Sequence, residues 1–329
     1  MERKGMIIVL LLSTVVTLYS KQFAPVGTTV AQFLEIGVGA RGAAMGEAVT
    51  TVVNGACAAF WNPANIVDLQ GGKMEGFSSI TNWPAGITLG AISFSFKLSN
   101  IGTFAISSLY LKTDDMEITT VLNPNGTGEY FNISNYCIGL SYSRYLTDKV
   151  SVGLTTKVIH EGYLNYSYTT WGLDMGTLYR TNFHNMKIGM SILHFGPEVR
   201  FSGEYIDYSD PKSYSVNSPK NFELHSLPIN FRFGVCLDIL HIGNHRIITS
   251  GDLIHSNNNL EQYNVGLEYS LNDRFFLRSG YRFTSDNGKF SFGGGMKVDI
   301  SGISLIIDYA YSDLGVLTKA NRFSLSFTM

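Results

Sequence analysis

From residue 73 to the C-terminus, apolar and polar side chains alternate with a period of two, as in strands with one apolar face. In EQYNVGLEYSL, Tyr263, Val265, Leu267, Tyr269 and Leu271 share one face, while Gln262, Asn264, Gly266, Glu268 and Ser270 share the other. INFRFGVCLDI, WGLDMGTLYR and ISLIIDYAY repeat the pattern. ITLGAISFSFKL and GTFAISSLYLK alternate poorly and are also placed as strands. About fourteen such segments run from 73–80 to 321–329. Most are about ten residues long, the length a tilted strand needs to cross a bilayer; strands of globular proteins are nearer five or six.

The connections agree with that length. Short turns (99–101, 147–149, 272–273) alternate with long loops (113–134, 197–228, 314–320), the asymmetry of outer-membrane barrels. The polar face carries Asp174, Arg232, Asp238, Glu268, Arg278 and Asp308, too many charges for a dry core. These six residues are expected to line a wet lumen, with the apolar face toward lipid. An unpaired strand edge cannot sit in hydrocarbon, so the sheet has to close. The expected fold is an all-β transmembrane outer-membrane barrel of about fourteen antiparallel strands, residues 73–329.

Fourteen strands leave a lumen wide enough to leak unless something fills it. Residues 21–72 are rich in Ala and Gly, lack the alternation and are expected to form an N-terminal hatch or plug. Within them Gly37-Val38-Gly39-Ala40-Arg41-Gly42 fits G-x-G-x-x-G, a dinucleotide-binding fingerprint. No acidic residue lies at the ribose-binding offset: Glu47 comes too early and Asp68 too late. The chain does not alternate strand with helix either, so these glycines read as packing and turning residues.

Arg3 and Lys4 followed by MIIVLLLSTVVTLYS make residues 1–20 a secretory signal peptide, with a retained anchor as the alternative. The net charge of -2 is close to zero and points to neither nucleic acid nor an acidic partner. Cys57, Cys137 and Cys236 form neither a metal pattern nor a disulfide framework. G-x-S-x-G, H-E-x-x-H and P-loop motifs are missing, so no catalytic residue, cofactor or metal is expected.

FLEIGVGARGAAMGEA followed by AAFWNPANI resembles the N-terminal region of the PorV/PorQ family, related in fold to the FadL family of outer-membrane barrels. The resemblance rests on Gly37, Gly39, Arg41, Gly46 and Trp61 and on the triplet Asn62-Pro63-Ala64, and extends to NVGLEYSLNDRFFLRSGYRF and the C-terminal DYAYSDLG. It implies one of two functions. A PorV-like member serves type IX secretion, binding protein cargo or translocon partners. A FadL-like member carries hydrophobic small molecules across the outer membrane. Parity gives a charged wall without an apolar pocket, which favours protein handling. The loop 197–228, bearing Tyr205, Tyr208, Tyr214 and Phe222, reads equally as a partner surface or an ordinary loop.

The facing assignment predicts that Leu267→Arg, if it lies near the midplane, destabilises the inserted barrel by about 2–4 kcal/mol, while Glu268→Arg avoids the lipid penalty. Urea unfolding in liposomes compares the two.

Overall fold

The computed structural model describes residues 26–69, 71–207, 209, 212, 218–283 and 288–329. The signal peptide expected at 1–20 lies outside them, as do Tyr208 and Tyr214. Fourteen antiparallel strands form a closed barrel. They are β1 (Met74–Trp83), β2 (Ile87–Leu98), β3 (Gly102–Thr113), β4 (Ser134–Tyr145), β5 (Val150–Tyr163), β6 (Tyr166–Arg180) and β7 (Lys187–Phe195). The second half comprises β8 (Asn230–Ile242), β9 (His245–Ser256), β10 (Gln262–Leu271), β11 (Phe275–Arg282), β12 (Phe290–Ile300), β13 (Ile303–Asp313) and β14 (Lys319–Thr328). Each strand pairs with its sequence neighbours, and β1 closes the ring on β14 from Glu75↔Thr328 to Asn82↔Asn321. No backbone edge is left for the hydrocarbon to meet.

Parity is as the alternation requires. Leu267 is 42% exposed on the outer face and Glu268 3% exposed on the inner one. Ile92, Ile106, Leu140, Trp171 and Phe292 also point outward. Strand β6 starts at Tyr166, five residues before the predicted 171, because its hairpin with β5 turns at Leu164, a left-handed residue at φ 53°. Two irregularities break the ladder. A bulge between Asp238 and Leu240 sends Ile239 and Leu240 both outward. Another, opposite Leu173–Met175, puts His194 at φ 61°.

Strands β2 and β3 alternate poorly because their inner face mixes apolar side chains with small polar ones. Leu89, Ala91, Ala105, Leu109 and Leu111 point inward and are buried. They meet the N-terminal segment, which occupies the lumen as 3₁₀ turns at Gln32–Glu35, Gly55–Phe60 and Pro63–Val67 and one α turn at Ala40–Ala44. This irregular backbone cannot satisfy itself, and the wall completes it. Glu161 accepts from Ala31 N at 2.7 Å, Asp252 from Val49 N and Thr50 N at 2.9 Å each, and Glu75 from Ala56 N at 3.0 Å. Wall hydroxyls donate in the other direction: Ser93 to Ala56 O, Ser191 to Trp61 O, Ser250 to Ala48 O, and both Ser143 and Ser151 to Ala64 O.

The segment enters at the loop end, where Thr29 bridges Ser226, and leaves at the turn end, where Asp68 pairs with Arg180. Midway, Gly46 at φ 63° lies backbone to backbone on Gly280 of β11. A Cβ on Gly280 would strike the Gly46 amide and the Met45 carbonyl carbon. Gly280→Val is therefore expected to displace the segment while leaving strand pairing intact. Planar-bilayer recording should show conductance well above that of the unsubstituted protein; equal conductance would mean that the segment does not obstruct the lumen.

Candidate functional site

The six inward charges expected on the lumen wall fall into four separate groups, each tied to the segment or to a wall partner. In the first, Arg41 lies in the α turn of the segment and donates through Nε and Nη2 to Glu268 Oε2 and Oε1 at 2.9 and 2.8 Å. Arg278 Nε reaches the same carboxylate at 2.5 Å, and its Nη1 reaches Asp308 at 2.6 Å. Two guanidinium groups thus alternate with two carboxylates, giving every charge an opposite neighbour. In the second group, Arg232 stacks on the Trp61 ring at 4.9 Å, donates to Glu47 O at 2.6 Å and stands 3.6 Å from Asp252. In the third, Asp174 pairs with Lys157 at 2.7 Å. The fourth is at the turn end, where Asp238 takes both Arg246 and Asn185.

The segment fills much of the lumen these charges face. Asp174, Arg232, Asp238, Glu268, Arg278 and Asp308 are all buried, between 0% and 7% exposed. Their opposite charges stand in contact, which is how a buried charge is tolerated. The inner wall also carries apolar surface. Val30, Phe33, Leu34 and Val38 of the segment pack on Leu89, Leu109, Leu111, Ile159, Tyr168 and Leu227 of the wall and loop.

Gly37, Gly39, Gly46, Trp61, Asn62, Pro63 and Ala64 are all buried within the barrel, and Arg41 is half-buried. Gly39, at φ 87°, precedes the α turn; the Trp61 indole donates to Val38 O at 3.0 Å. Asn62 caps the 3₁₀ turn that begins at Pro63, accepting from Ala64 N at 3.1 Å, and its amide donates to Thr50 O and Thr177 O. The triplet thus ties three stretches of chain together. The loop aromatics also turn inward: Phe222 contacts Tyr166, Phe201 and Tyr205, and Phe201 contacts Tyr168.

Sequence reasoning passed over Arg322, Lys157, His194 and Asn230 as site residues. Arg322 is 1% exposed and donates to Gly37 O and Ser312 Oγ. Lys157 and Asn230 lie on the inner face by parity, and that signal was available. His194 is inside only because of the bulge, which alternation does not reveal.

Three cavities among the described residues border the segment, one of them, of about 110 Å³, between Arg41, Asn54, Cys236 and Arg246. Another, of about 50 Å³, lies between Leu34–Val38, Phe60 and Trp61 and the wall residues Leu109, Lys157, His194 and Asn230. A third, of about 230 Å³, lies toward the turn end between Arg41, Cys57, Phe77, Glu268, Phe276 and Asp308.

A closed antiparallel barrel with an apolar outer face and an occupied lumen is an outer-membrane protein. Its fold is similar to that of the Ralstonia pickettii toluene transporter TbuX, with TM-score 0.55 and 12% identity over 88% of this chain and 97% of that one. The Pseudomonas putida toluene transporter TodX gives TM-score 0.55 and 12% identity over 88% and 96%. A Pseudomonas aeruginosa FadL homologue gives 0.54 and 13% over 88% and 97%. The chain is therefore a FadL-like barrel in fold and resides in the outer membrane. No family model and no curated protein matches the sequence.

The paired charges alter the comparison between Leu267 and Glu268. Glu268→Arg places a third cation between Arg41 and Arg278, 3% exposed in the unsubstituted protein. Breaking such a pair costs about 3–5 kcal/mol before any repulsion is added. Urea unfolding in liposomes should show a larger loss for Glu268→Arg than for Leu267→Arg. The opposite order would mean that Glu268 is solvated.

Proposed function

We propose that the protein carries hydrophobic small molecules across the outer membrane, with residues 21–72 as the hatch of its barrel. The observation that carries this reading is the apolar cluster inside the lumen. It begins near the loop end with Val30, Leu227 and Tyr168 and continues along Phe33, Leu34, Leu109 and Val38 to the central cavity. A ligand pocket is predominantly apolar with a few placed polar groups, and this lining has that composition. The charged groups nearest the cluster are each satisfied by ion pairs or hydrogen bonds: Asp174 by Lys157, Arg232 by Asp252, Glu161 by Ala31 N and Tyr168, and Glu35 by Ser256 and Asn258. The fold likeness to two proteins described as toluene transporters supports the same reading.

A second reading, protein secretion or surface attachment of the PorV type, has the IGVGAR…WNPA signature in its favour. Its partners would be secretion cargo or a translocon component. The loop aromatics Phe201, Tyr205 and Phe222 do not add to it, because they pack on one another and, through Phe201, on the apolar cluster.

Leu109→Arg puts a charge on the proposed route, 5% exposed in the unsubstituted protein. Uptake of radiolabelled toluene by cells expressing this variant is expected to fall about tenfold, the effect of roughly 1.4 kcal/mol. Equal uptake, together with protein cross-links in native outer membranes that both forms retain, would replace the transport reading with the secretion one.

A further inference from the structure

The bulge at His194 fixes a histidine ring at the smallest of these cavities. Lys157 Nζ stands 2.7 Å from Asp174 Oδ2 and 2.7 Å from His194 Nδ1. An ammonium group only donates, so Nδ1 accepts and the ring proton sits on Nε2. The backbone N–H of His194 donates to Asp174 Oδ1 at 2.7 Å, which locks the residue in place. Nε2–H has no protein partner among the described residues, and the ring lines the cavity. Asn230 lines the same cavity, and its buried Oδ1 also has no hydrogen-bond partner. One fixed donor and one free acceptor therefore share a space of about 50 Å³, where the apolar Leu34, Val38, Leu109 and Trp61 stand beside charged groups that have partners of their own.

The charge around that space is balanced or slightly negative. Lys157 is matched by Asp174 and Arg232 by Asp252. Glu35 adds a carboxylate held by Ser256 and Asn258, with no cation paired to it among the described residues. An anionic head group finds no free cation there and meets a like charge. An ammonium group leaves the histidine donor unmatched. A hydrocarbon leaves both polar groups unpaired, which is costly in a dry site. A hydroxyl accepts from one and donates to the other.

We propose that this cavity binds the hydroxyl end of an uncharged aliphatic alcohol, with His194 Nε2–H as donor and Asn230 Oδ1 as acceptor. The tail lies along Leu34 and Leu109 toward the apolar cluster. The proposal rests on the transport reading for the route by which the ligand arrives, and on the cavity alone for its chemistry.

Trp61 lines the cavity and reports on it. In protein carrying Trp83→Phe and Trp171→Phe, Trp61 emission is followed in liposomes against 1-hexanol, hexane and hexanoate. Hexanol should saturate the change at a concentration about tenfold lower than hexane, the worth of one or two neutral hydrogen bonds. Hexanoate should produce no saturable change. Asn230→Leu should raise the hexanol half-point about tenfold and leave hexane unmoved. Equal half-points for hexanol and hexane with Asn230 present would overturn the proposal without recourse to the variant. So would hexanoate competing as well as hexanol. Failure of toluene uptake alongside the hexanol preference would remove the transport reading and leave the site standing.

Discussion

An unpaired backbone group in hydrocarbon is so costly that the sheet has to close, and the rest of the molecule follows from closure. Fourteen strands make a ring whose own side chains do not fill it. The lumen is filled by irregular chain, and irregular chain brings unpaired amides and carbonyls of its own. The wall answers with carboxylates at Glu75, Glu161 and Asp252 and with a set of inward serines. The polar inner face is therefore the hydrogen-bond complement of the segment. Arg41, Arg232 and Arg322 extend the same logic through ion pairs or bonds to backbone carbonyls.

Most of the barrel was legible in the sequence because strand period and hydrocarbon thickness are both fixed by geometry. Strands β2 and β3 fall within a residue of the stretches ITLGAISFSFKL and GTFAISSLYLK. The role of the inward charges was not legible, because parity gives a side chain's direction but says nothing of what it meets. Glu268 reads the same whether it faces water or Arg41. The apolar half of the inner wall was hidden for a related reason. Leu89, Leu109 and Leu111 spoil the alternation of β2 and β3, and the spoiled alternation was itself the trace of a packed interior. His194 was out of reach altogether, since a bulge reverses facing without altering composition.

The hatch motif and the candidate cavity belong to one construction. Trp61 sits between them, stacked under Arg232, bonded to Val38 O and bordering the space that Lys157 and His194 also line. Substitution in the Asn62-Pro63-Ala64 turn therefore acts on the cavity through Trp61, although none of those three residues touches it. The two ends of the lumen differ in character. The larger apolar cluster lies toward the loop end, and the Arg41–Glu268–Arg278–Asp308 ion pairs border the larger void toward the turn end.

The passage of the segment from Thr29 at one mouth to Asp68 at the other has a consequence for biogenesis. The wall is a belt whose buckle is the β1–β14 seam, joining residues about 250 positions apart in sequence. If the buckle fastens first, the chain before β1 has to be threaded lengthwise through a narrow ring. If it fastens last, the sheet curls around a filling already laid on its inner surface by Asp252, Glu161 and Glu268. The second order avoids threading, and it makes the last strand to be synthesised the one that seals the lumen.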